Sequence, residues 1–75
     1  MRWTDVEADW NVFIAQIVAA WPELSPRRLA AIAGDRMEFN RYLAAGYDLT
    51  LGEAAEAVDL WLIRVARHRV HTLVA

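Results

Sequence analysis

The chain has 75 residues, 57% of them hydrophobic, with eight arginines, no lysine, ten acidic residues and a formal net charge of -2. At this length folding buries only roughly 60% of the unfolded surface, so the expectation is one domain over residues 1–75 with a thin stability margin. The absence of cysteine excludes disulfide staples and thiolate metal sites and suits a reducing cytoplasm, and no apolar run approaches the ~18 to 20 residues of a membrane span. The first residues also lack a charged segment followed by an apolar one, so a cytoplasmic protein without a removed signal is expected.

Four helices are predicted in chain order. Thr4-Asp5-Val6-Glu7 reads as a capping box, with the Thr4 hydroxyl and the Glu7 carboxylate each satisfying an amide of the first turn. Val6, Trp10, Phe13, Ile14, Ile17 and Trp21 then recur at steps of three and four until Pro22 stops the helix. Ser25-Pro26 starts the second helix with a serine cap, a proline at the first helical position and a Leu24 to Leu29 hydrophobic staple, and Gly34 is its expected C-terminal glycine. Asp35 with Glu38 launches the third, carrying Met37, Phe39, Tyr42 and Leu43, and Gly46 is its expected stop. Thr50-Leu51-Gly52-Glu53 opens the fourth, whose stripe is Ala54, Ala55, Val58, Trp61, Leu62 and Val65. That helix is expected to continue to about His71, with residues 62–75 as its C-terminal extension.

Residues able to carry catalysis are scarce. Ser25 is the only serine and serves as a cap, as do Thr4 and Thr50, which leaves Thr72 and the tyrosines as the other hydroxyls. Asp5 and Asp9 stand four apart, but acidic residues early in a helix are expected from the macrodipole, and a hard cation wants more oxygen ligands. His68 and His71 stand three apart without a third ligand, flanked by Arg67 and Arg69 whose charge opposes a cation. The expectation is therefore no enzyme, no catalytic residue, no metal, no cofactor and no small-molecule substrate.

The charge is unevenly placed. All ten acidic residues lie within residues 1–59, whereas residues 62–75 hold Arg64, Arg67 and Arg69 with both histidines. Arg64, Arg67, His68 and His71 follow helical steps along one face. This is either a patch for the phosphates of nucleic acid or an anionic surface, or a solvated face opposite the apolar stripe. The acidic pI of about 5.5 favours the solvated face.

A family resemblance is carried by Met1-Arg2-Trp3, Glu7, Trp10, Phe13, Trp21, Leu24-Ser25, Leu29, Ile32-Ala33-Gly34, Arg36 and Glu38, and further by Tyr47, Leu49-Thr50, Glu53-Ala54, Val58-Asp59 and Trp61. In these residues the chain resembles the CsbD-like (YjbJ-like) small bacterial stress response proteins. The resemblance implies an all-α fold of four short helices in an irregular, SAM-domain-like array of two roughly orthogonal helical hairpins, a stress-linked setting, and no established chemistry. Departures from the family pattern include the missing lysines and the apolar Val12, Ile14, Val18, Ala19, Ala20, Ala30, Ala31, Ala44, Ala45, Leu51 and Ala55 where polar residues are usual. The family also tends to have glycine at the place of Asp48.

Ile14 and Val18 widen the apolar stripe of the first helix, so a covered surface is expected there, with Leu51 contributing. The expected function is a non-enzymatic stress response protein with a protein-interaction or protective role, as a homo-oligomer or with another protein. The alternative is a protein that associates with nucleic acid or an anionic surface through Arg64, Arg67, His68 and His71.

Overall fold

The helices expected to open near residues 26, 36 and 51 begin at Pro26, Arg36 and Leu51, and the first begins at Trp3, two residues ahead of its expected start. In the computed structural model, which describes the backbone of residues 1–74 and side-chain burial through Arg67, the described residues form five α-helices and no strand. These are α1 (Trp3–Ala8), α2 (Trp10–Ala20), α3 (Pro26–Ile32), α4 (Arg36–Tyr47) and α5 (Leu51–Val74). The fold is all-α, as expected, but the count of four helices is corrected to five. The first predicted helix is two, interrupted at Asp9 (φ -116°, ψ 40°), while the last is a helix of 24 residues, the extension read from its stripe rather than the short helix the resemblance implies. At 1.5 Å per residue α5 is about 36 Å long. It therefore sets the 37 Å long dimension of a molecule otherwise 22 by 21 Å.

The caps explain most of the boundaries. Thr50 and Glu53 form a complete box, Glu53 N donating to Thr50 Oγ1 at 3.0 Å and Thr50 N to Glu53 Oε1 at 2.8 Å. Asp35 Oδ1 accepts from Glu38 N at 3.1 Å, and Ser25 Oγ from Arg28 N at 3.5 Å with Pro26 at the first helical position. The Thr4 box does not form. Instead Arg2 is the extended cap of α1 and its amide donates to Asp5 Oδ2 at 3.2 Å, which starts the helix early enough to include Trp3.

The two glycine stops are also redistributed. Ala33 takes the left-handed conformation after α3 (φ 55°), and Gly34 follows it at φ 86°. After α4 the left-handed residue is Asp48 (φ 54°), not Gly46, which stays helical. Gly46 serves close approach: a Cβ there would stand 3.3 Å from Leu24 Cδ2.

Burial follows the predicted stripes. Val6, Trp10, Phe13 and Ile17 from α1 and α2 meet Leu24, Leu29, Phe39 and Leu43, with Ala54, Val58, Trp61, Leu62 and Val65 closing the core from α5. No polar or charged residue is buried among those described. The most extensive helix pairings are α4 with α5 and α2 with α3. Phe39, fully buried, lies within 5.5 Å of Trp3, 6.1 Å of Trp10 and 5.8 Å of Trp21 by ring centroids. Trp61 extends the cluster to Phe13 at 6.3 Å and Trp21 at 5.8 Å. Such aromatic pairs contribute ~0.5 to 1.5 kcal/mol each beyond their buried area. Trp10 and Trp61 are buried as expected of core tryptophans, while Trp21 is half-buried and packs against the core from its rim.

Candidate functional site

Hydrogen-bonding groups that chemistry could have used are spent on the fold. The Trp10 indole Nε1 donates to the Leu29 carbonyl at 2.7 Å and the Trp3 Nε1 to the Gly34 carbonyl at 2.8 Å, so two indoles secure the end of α3 and the turn after it. That turn is tight against α1, because a Cβ on Gly34 would lie 2.8 Å from Glu7 Cγ. The Tyr42 and Tyr47 hydroxyls accept from the amides of Ser25 and Glu23, at 2.8 and 3.1 Å, and thereby satisfy the connection between α2 and α3. Asn40 Oδ1 is the one buried side-chain polar atom without a partner among the described residues.

Three arginines have similar structural duties. Arg36 bonds Asp59 at 2.7 Å and lies over the Trp3 ring at 5.8 Å, linking α1, α4 and α5. Arg28 covers Tyr42 at 5.2 Å, and Arg41 meets Glu38 at 3.2 Å. These exposed pairs contribute ~0 to 1 kcal/mol apiece and orient more than they stabilise.

The predicted interaction residues separate into different regions. Ile14 and Val18 are half-buried and pack against the core, so the wide stripe of α2 is largely consumed within the chain. Leu51 is 51% exposed at the first turn of α5. Arg64 and Arg67 are exposed on α5, whereas the side chains of His68 and His71 lie outside the described ones. Arg64 also borders a shallow cavity of about 320 Å³ between α2 and α5, lined by Gln16, Ala19, Ala20, Trp61 and Val65. Among the described residues no group of three His, Cys, Asp or Glu side chains is placed to hold a metal ion, and no helix is long and apolar enough to cross a membrane.

What sequence reasoning missed is the outward face of α5. Leu60 and Ile63 are 63% and 52% exposed, and Val12 and Met37 are exposed elsewhere. The signal was available: at 100° per residue Leu60 and Ile63 fall opposite Val58 and Val65, the buried line of the same helix. The chain matches no family model, no curated protein and no solved structure.

Proposed function

We propose that this chain is a non-enzymatic protein of the CsbD-like stress response type that acts in the cytoplasm by binding other polypeptides. The observation that carries the reading is the division of labour among its side chains. The indoles of Trp3 and Trp10, both tyrosine hydroxyls and the capping residues are committed to internal hydrogen bonds, while large apolar residues, Val12, Met37, Leu60 and Ile63 among them, stand more than half exposed. Apolar side chains in water supply a non-directional driving force for association and no chemistry. The resemblance through the tryptophans and Ile32-Ala33-Gly34-x-Arg36 supports the stress-linked setting.

A protective contact of this kind is tested by heating malate dehydrogenase with an equimolar amount of the protein and following light scattering. The parent chain is expected to suppress scattering, and Val12→Glu with Met37→Glu to weaken the suppression without altering the fold. A chain that leaves scattering unchanged, yet is retained on DNA and released steeply by salt, would replace this reading with the rival one. The rival has its own support in Arg64 and Arg67, both exposed on α5.

A further inference from the structure

We infer that the outward face of α5 is a self-recognition surface, on which a second copy of this chain docks with its own α5 antiparallel. The inference rests on the interaction reading above and names the partner for one face.

The face runs Glu56, Leu60, Ile63 and Arg67, all exposed, along the line opposite the buried Val58 and Val65. Its pattern is symmetric in spacing and antisymmetric in charge. Glu56 stands four residues before Leu60, and Arg67 stands four residues after Ile63. An antiparallel copy that seats Leu60 on the second copy's Ile63 therefore also seats Glu56 on the second copy's Arg67. The two-fold axis then repeats both contacts, as an isologous interface requires. A parallel copy would set carboxylate against carboxylate and guanidinium against guanidinium, so the charges choose the orientation.

Helix electrostatics alone do not account for these charges. The macrodipole acts within the first and last turns. Glu56 is the sixth residue of the helix, and Arg67 lies seven residues before its end. Among the described residues neither takes part in an ion pair or side-chain hydrogen bond: the pairs there are Arg36 with Asp59, at the edge of the face, and Arg41 with Glu38, while Glu53 is turned back onto the Thr50 amide. Opposite charges framing two exposed aliphatic residues are the arrangement of a helix seam, with an apolar centre and charges that set register.

From Glu56 to Arg67 the strip covers only about three turns. Its contact is smaller than the roughly 1,200 Å² of a stable specific interface, so the pairing is weak and concentration-dependent. Sedimentation velocity from micromolar to about millimolar concentration spans that range of affinity. Glu56→Arg and Arg67→Glu, each alone, place like charges in both symmetric contacts and should weaken association by roughly tenfold or more. An equimolar mixture of the two variants restores both contacts and should associate as the parent does, and so should the double variant Glu56→Arg with Arg67→Glu. Leu60→Glu should abolish association, with helical circular dichroism unchanged because the residue is exposed.

A parent chain that stays monomeric throughout overturns the inference. So does association that the single charge reversals leave untouched, or that the mixture fails to restore. Suppression of malate dehydrogenase scattering by a strictly monomeric chain would overturn this pairing and leave the broader interaction reading intact.

Discussion

Ala33 and Gly34 are adjacent, both have positive φ, and exchanging their identities one at a time should move stability in opposite directions. Gly34→Ala puts a Cβ at φ 86°, 2.8 Å from Glu7 Cγ and 3.3 Å from Glu7 Cα. A left-handed L-residue costs ~1 to 2 kcal/mol. Overpacking against a neighbour that cannot fully withdraw adds ~1 to 3 kcal/mol. The sum, about 2 to 5 kcal/mol, is a large part of the ~4 to 11 kcal/mol that a domain of this size possesses. It should lower the melting temperature by at least ~8 °C. Repeating the change beside Glu7→Ala removes the Cγ contact but not the backbone one, so recovery should be partial, about 1 kcal/mol. Ala33→Gly has no such neighbour to meet and relieves the strain of φ 55°, a gain of about 0.5 to 1 kcal/mol after the added freedom of the unfolded chain. Thermal melts followed by circular dichroism measure both. A Gly34→Ala protein that melts within ~2 °C of the parent, or changes of the same sign at the two positions, would refute the reasoning.

Trp10→Ala should cost ~3 to 5 kcal/mol, a large part of that same margin, whereas Trp10→Phe keeps much of the packing and isolates the bond to the Leu29 carbonyl at ~1 to 3 kcal/mol. Urea titration checks both, and equal losses would mean the indole N–H is dispensable. Thr50→Ala should cost ~1 kcal/mol, because one half of the Thr50/Glu53 box is lost, read as a fall in the urea midpoint at unchanged slope. Asp48→Gly should raise the melting temperature by about 2 to 4 °C by removing a left-handed aspartate, and a lowered value would show that the carboxylate performs a compensating role.

Helix starts were legible wherever one cap competed with nothing nearby. Ser25-Pro26, Asp35 and Thr50 each gave the observed beginning of a helix, and the apolar stripes named most of the core. At the N-terminus the expected Thr4 box gave way to Arg2 as the cap, with Asp5 accepting from its amide. Tertiary packing chose the earlier start, since only a helical Trp3 brings its indole to the Gly34 carbonyl and its ring to Phe39. The break at Asp9 left no mark on the apolar periodicity, because Val6 and Trp10 remain buried on both sides of it. Gly46 misled because glycine serves both turns and close approach, and the pattern along one chain does not show that Leu24 would arrive against it. The stripe on α2 was legible as apolar but not as already covered, since its covering residues come from elsewhere in the chain. Leu60 and Ile63 are the converse case: on a helix rich in apolar residues, the inward stripe dominates the pattern and masks a second apolar line on the opposite side.

The clustering of tryptophans around Phe39 also determines how the protein handles light. Trp3 and Trp10 are 5.7 Å apart and Trp21 and Trp61 5.8 Å by ring centroids, close enough for excitation absorbed by one indole to hop to another before emission. Each hop lands on a differently oriented ring, at interplanar angles of 57° and 49°, and erases the memory of the exciting polarisation. The folded protein should therefore emit with lower anisotropy than its slow tumbling alone would give. When the rings separate on unfolding that transfer ceases, and an optical signature of the assembled aromatic cluster disappears with it.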